Sequence, residues 1–150
     1  MKKLLIALTF VATAVSAQTL PNPKLTPGKV DPALTKDVIC ASTFRTTTIR
    51  NVSEATKKQV YSIYLAKNHE GRCAGAEGCE VDHLISLELG GSNAVENLWP
   101  ESFSGENNAH NKDELENKLH SMVCKNQISL EQAQKEISTD WISAYKKYIK

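Results

Sequence analysis

The stretch from Glu80 to Pro100 reads EVDHLISLELGGSNAVENLWP. It opens on a half-apolar run of the kind that forms a strand with one buried face. The glycine pair Gly90-Gly91 then lets the chain fold back tightly, and Asn97-Leu98-Trp99 opens a second strand. Asp82 and His83 are neighbours, so within a strand their side chains point to opposite faces. At a strand's end, where the chain begins to turn, both can border one cleft. An asparagine at position 97 can bond loop backbone groups and hold the loop across the hairpin. Trp99 reads as an apolar anchor beneath that hairpin.

A helix follows, starting near Asn107 or Asn108, either of which can cap it. Leu115, Leu119, Met122 and Val123 give it an apolar stripe, and Asn107, Asn108, His110, Asn111, Lys112 and Asp113 crowd its first turn. At 100° per residue His110 lies about 140° around from Leu115, whereas Asn111 lies about 40° away. Lys112 with Glu116 has the spacing of an exposed helix ion pair, worth about 0.3–0.5 kcal/mol. Upstream, Pro21, Pro23, Pro27, Gly28 and Pro32 make residues 18–36 extended or looping. Val38 to Ile49 is rich in β-branched residues and suits one or two short strands. Asn51 or Ser53 can cap a helix running to about Asn68, with Val60, Ile63 and Tyr64 on one face. Ser129 followed by Gln132 has the form of a capping box for a last helix, whose buried face is Leu130, Ala133, Ile137, Trp141, Ala144 and Tyr145.

Length suits one domain. Met1-Lys2-Lys3, the apolar run Leu4–Val15 and the small residues Val15-Ser16-Ala17 form the pattern of a secretory leader over residues 1–17. Cleavage there leaves 133 of the 150 residues and takes the net charge from +1 to −1. Residues 37–150 then form the single domain, secreted or periplasmic, with its core motif in 80–124. Cys40, Cys73, Cys79 and Cys124 all lie in the exported part, and an even count in an oxidising compartment favours disulfides. Cys73 and Cys79 enclose a short, closable loop, which leaves Cys40 with Cys124. A four-thiolate zinc site is the competing reading, but no CxxC pair is present. Charge is uneven: residues 18–69 carry eight basic and three acidic groups, 70–116 two and eleven, 117–150 six and three. The middle segment, formally −9, attracts cations and repels polyanions.

Strand, loop, strand and helix, with Asp-His first, Asn in the middle and a His/Asn cluster on the helix, resembles the ββα-metal fold of the HNH endonuclease superfamily. LTPG near residue 26, DHLISLELGG, NLWPE, KDELEN and the Ile-Cys and Val-Cys pairs resemble a poorly characterised family of small exported bacterial proteins with that core. The resemblance implies an α+β fold: a hairpin-plus-helix core with flanking helices, stapled by disulfides. It further implies a metal-dependent endonuclease acting on DNA or RNA. A monomer is assumed, and once the leader is removed no apolar run is long enough to cross a bilayer. By the same resemblance His83 matches the general base and Asn97 the asparagine that supports the loop and orients that base. Asp82 matches a metal ligand, with His110 or Asn111 closing the site around one divalent ion (Mg, Mn, Zn or Ni). Such an ion acts as a Lewis acid on the phosphate, while a neutral imidazole takes a proton from water. The superfamily often has proline where Ser86 stands; a small residue keeps the turn. A polyanion would have to be held by flanking groups such as Arg45, Arg50, Lys57, Lys58, Lys146, Lys147 and Lys150. The other reading of the acidic segment is a non-catalytic, disulfide-stapled binding module on the same fold.

Overall fold

A computed structural model of the chain describes residues 20–64 and 78–150. The expected leader, His69 and Cys73 lie outside the described residues. The fold is α+β. Among the described residues there are two strands, β1 (Cys79–His83) and β2 (Leu98–Ser102), and five helices: α1 (Lys36–Ile39), α2 (Thr46–Ile49), α3 (Glu54–Ile63), α4 (Ala109–Cys124) and α5 (Leu130–Tyr148).

The strands pair antiparallel, Glu80 opposite Glu101 and Asp82 opposite Trp99. Directly opposed residues share a face, so Glu80, Asp82, Trp99 and Glu101 stand on one side and Val81, His83, Leu98 and Pro100 on the other. Two short 3₁₀ turns, Leu87–Leu89 and Val95–Asn97, carry the connection. Glycine is required at 91, where an added Cβ would lie 1.7 Å from the Ile85 carbonyl oxygen. Gly90 has φ +77°, and its N–H bonds the Leu87 carbonyl.

Residues 20–35 form no helix, as their prolines dictate, and they are laced to the hairpin loop. Val30 bridges Gly91, Gly28 N donates to the Glu96 carbonyl at 3.1 Å, and Thr26 Oγ1 bonds the Leu98 carbonyl at 2.9 Å. The threonine-rich segment 38–49 is a correction: it forms the helical turns α1 and α2 instead of strands. Thr48 Oγ1 bonds back to the Arg45 carbonyl at 2.7 Å, and the Ile49 carbonyl takes a side-chain bond from Asn93. Those local and tertiary bonds supply what a strand partner would, and they override β-propensity. In α3, capped by Ser53, Val60, Tyr61 and Tyr64 are buried while Ile63 is largely exposed.

Asn108 caps α4 through bonds from the His110 and Asn111 amides, and Asn111 Oδ1 returns the favour to the Asn108 amide, completing a capping box. Ser129 caps α5, and all six residues of its expected face are buried. Asp140 breaks α5, with φ −160° and ψ 89°, and its carboxylate recaps the helix on Ile142 N and Ser143 N. The α4 and α5 stripes pack together with Ile39, Ile85 and Leu89 as one apolar cluster. A second cluster joins α3 to the hairpin through Val60, Tyr64, Val81, Leu84 and Trp99. A disulfide joins Cys40, after α1, to Cys124 at the end of α4. Cys79 is also disulfide-bonded.

Candidate active site

The end of β1, the loop after it and the first turns of α4 meet around Asp82 and His83. His83 is buried, with 1% of its surface exposed. Its Nε2 lies 3.1 Å from Asn93 Oδ1. The Asn93 amide cannot turn over: its Nδ2 donates to the Ile49 carbonyl at 2.9 Å, and its Oδ1 accepts from Asn51 N at 3.1 Å. An oxygen therefore faces Nε2, so the neutral ring carries its proton there. His83 Nδ1 is left with a bare lone pair and no hydrogen-bond partner among the described residues. Its neighbour Asp82 Oδ1 is 3.9 Å away, too far for a direct bond.

Asn97 is fully buried and among the described residues bonds only backbone: it accepts from Ile85 N at 3.0 Å and Lys29 N at 3.3 Å, and donates to the carbonyls of Ile85 and Ser92 at 2.9 Å each. It pins the loop and the N-terminal segment together. The bond that orients the imidazole comes from Asn93, which the sequence reading passed over.

On the other face of the hairpin stands Lys112. Its ammonium donates to Asp82 Oδ2 and to the His83 carbonyl, each at 2.7 Å, and to Glu116 Oε1, with Glu101 Oε2 at 3.5 Å. Lys112 is wholly buried, so the exposed ion pair expected at 112 and 116 is a buried four-way cluster instead. The Asp82 and Glu116 side chains are 14% and 12% exposed, which opens the cluster to solvent at one edge. One ammonium cannot balance three ionised carboxyl groups in a dry pocket, and they titrate apart accordingly. Burial alone would raise Asp82, but the Lys112 charge, the His83 side chain beside it and the Lys112 hydrogen bond outweigh burial and hold Asp82 well below the usual carboxylate range. Burial pushes Glu101 well up, against Lys112 and with Asp82. Burial likewise pushes Glu116 up, to about 8, opposed by Lys112 and reinforced by Asp82. Burial would lower Lys112; the carboxylates of Asp82, Glu101 and Glu116 overcome it and hold the amine well above its ordinary value.

Of the two candidates for the closing ligand, each has a contact of its own. His110 is exposed and packs beside Phe103, ring centroids 6.2 Å apart. Asn111 spends its oxygen on the capping box, and its Nδ2 donates to Tyr145 Oη at 3.3 Å. Lys112 reaches Asp82 because it shares the stripe of Leu115, Leu119 and Val123, three residues before Leu115 and about 60° from it. That helical position was the available sign of its burial. The oxygen donors that converge with Asp82 are Glu101 and Glu116, around the Lys112 ammonium. Elsewhere among the described residues, Cys40, His120 and Cys124 offer three donor atoms close enough to share an ion. Both sulfurs are spent in the disulfide, and His120 Nε2 bonds the Ile39 carbonyl at 3.0 Å.

Among the described residues no helix is long and apolar enough to cross a membrane. No protein-family model matches the chain, and neither the curated proteins nor the solved structures contain a match to it.

Proposed function

We propose that this chain is a secreted or periplasmic phosphodiesterase of the HNH, ββα-metal kind, cleaving DNA or RNA with His83 as general base. The observation that carries the reading is the locked imidazole: Asn93 takes the proton on Nε2 and leaves a bare, buried Nδ1 beside Asp82. A buried lone pair without a partner costs about 1–3 kcal/mol, a cost that a structural histidine has no reason to carry and a base does. The 3.9 Å separation of Nδ1 from Asp82 Oδ1 admits a water bonded to both, the geometry a base needs to take a proton. The chain order β1, loop, β2, α4 supports the ββα reading, and the disulfides support an oxidising compartment. A divalent ion bound beside Asp82 would supply Lewis acidity to the phosphate. The chain's own residues hold the base in its tautomer, pin the loop and exclude bulk water from the ring.

The test is a plasmid-nicking assay on the mature chain, with and without chelator, across Mg²⁺, Mn²⁺, Zn²⁺ and Ni²⁺. His83→Ala should abolish nicking and leave the circular dichroism unchanged; equal nicking by the variant refutes the assignment of the base. Lys112 favours the second reading, a binding module without chemistry, because its ammonium stands where a catalytic cation would be needed. That reading predicts no cleavage of any nucleic acid with any of the four metals.

A further inference from the structure

Lys112 is a positive charge enclosed by more acid than it needs. Its three protons go to Asp82, Glu116 and the His83 carbonyl, with Glu101 Oε2 at 3.5 Å. Three carboxyl groups and a backbone carbonyl are the oxygen donors a hard divalent cation selects. One further lone pair at the pocket lacks a hydrogen-bond partner among the described residues: Glu101 Oε1, on a side chain 2% exposed. An ammonium has no proton left for it, whereas a divalent ion, which can take more than three ligands, has a position for it.

We propose that the Lys112 ammonium is the resident cation of this pocket and competes with a hard divalent ion for it, so that removing the ammonium creates a divalent-cation site held by Asp82, Glu101 and Glu116. The pocket is the one assigned to hydrolysis, but the inference does not rest on catalysis. Its consequence for the wild-type chain is weak binding, because any incoming ion must first break four contacts of a fully buried lysine.

The experiment is Mn²⁺ binding to the full exported chain at neutral pH, followed by electron paramagnetic resonance and by the shift in melting temperature. Lys112→Ala should hold one Mn²⁺ at least ten-fold more tightly than wild type and should gain thermal stability from it. Adding Asp82→Asn to that variant should remove the gain. Lys112→Gln, which keeps the length and a hydrogen-bond donor, serves as a second variant and should also bind more tightly than wild type. If neither variant folds unaided, Mn²⁺ should restore the fold. Affinity equal to wild type in a folded variant overturns the inference, and so does a failure of Mn²⁺ to restore an unfolded one. Wild-type binding as tight as that of the variants overturns it as well. Plasmid nicking measured on the same samples reports separately on the hydrolase reading, since the binding result stands whether or not anything is cut.

Discussion

Glu116→Gln tests the charge distribution in the buried cluster. The amide oxygen still accepts from Lys112, while the titrating proton is gone. Glu116 is an acid whose pKa is raised by folding, to about 8. Its contribution to stability is complete below the unfolded carboxyl's pKa of about 4.3 and is lost as pH rises toward the folded value. Across that interval the native state keeps a proton that the unfolded chain has released. The free energy of unfolding therefore falls by about 1.4 kcal/mol for each pH unit. Between pH 5 and pH 8 the loss assigned to Glu116 is about 4 kcal/mol at most. Asp82, shifted the other way, holds its stabilisation above the unfolded carboxyl's pKa and loses it only in acid, below this window. Ionised Glu116 also helps to raise Glu101, so the difference between variant and wild type contains that effect as well. Urea denaturation at pH 5, 6, 7 and 8 measures it: near-equal stabilities at pH 5, with the variant progressively the more stable toward pH 8. A difference that stays constant across the four pH values refutes the view that burial keeps Glu116 protonated.

Asn93→Ala removes the partner of His83 Nε2, Asn51 N and the Ile49 carbonyl together, so it should cost about 1–3 kcal/mol in urea denaturation. The same change should mix the two imidazole tautomers, read as a shift of the His83 ¹⁵N resonances, and should lower nicking activity. Cys40→Ser should cost about 4–5 kcal/mol on the chain-entropy estimate for a cross-link spanning a sequence separation of 84, measured by denaturation against wild type without reductant. Gly91→Ala drives a methyl group into the Ile85 carbonyl and should cost about 3 kcal/mol or more; a methyl at Gly78, which meets nothing within 4 Å, should cost only about 1 kcal/mol, through its positive φ.

The features legible in the sequence are those fixed by local pattern. The α5 face was readable because a period of 3.6 over nineteen residues admits one buried stripe. The Asn108 cap and the Gly90-Gly91 turn each follow from a single residue's chemistry. Residues 38–49 misled because β-branched composition reports a preference for a pleated surface, and the described residues offer this segment no strand edge. At the site, Asp82 and His83 could be placed by adjacency, and Asn97 by its position before β2. Asn93 could not, since its role depends on Ile49 and Asn51, which are more than forty residues away in the chain. Lys112 was legible in principle: it continues the stripe of Leu115, Leu119 and Val123. The charge at its tip argued for solvent, and only the carboxyl groups of two separate strands explain why it is inside.

Those same carboxyl groups bear on whether the acidic middle segment repels a polyanion. Its formal charge of −9 assumes eleven ionised acids between residues 70 and 116. Glu116, with a pKa of about 8, is mostly protonated at pH 7, and Glu101 is pushed well above its ordinary range. Counting Glu116 as neutral, −9 plus 1 gives −8. Of what remains, Asp82 is matched at 2.7 Å by Lys112, already in the sum, and the field of that pair is short-ranged. Glu96 is likewise paired with Lys29, a charge the segment's sum omits because Lys29 comes from the N-terminal segment laced to the loop. Arg50 lies close enough to oppose the burial shift at Glu80, so the basic flank and the acidic hairpin share one surface. The repulsion inferred from composition is thus overstated around Lys112, where Glu116 is raised to about 8 and Asp82 is paired with the ammonium.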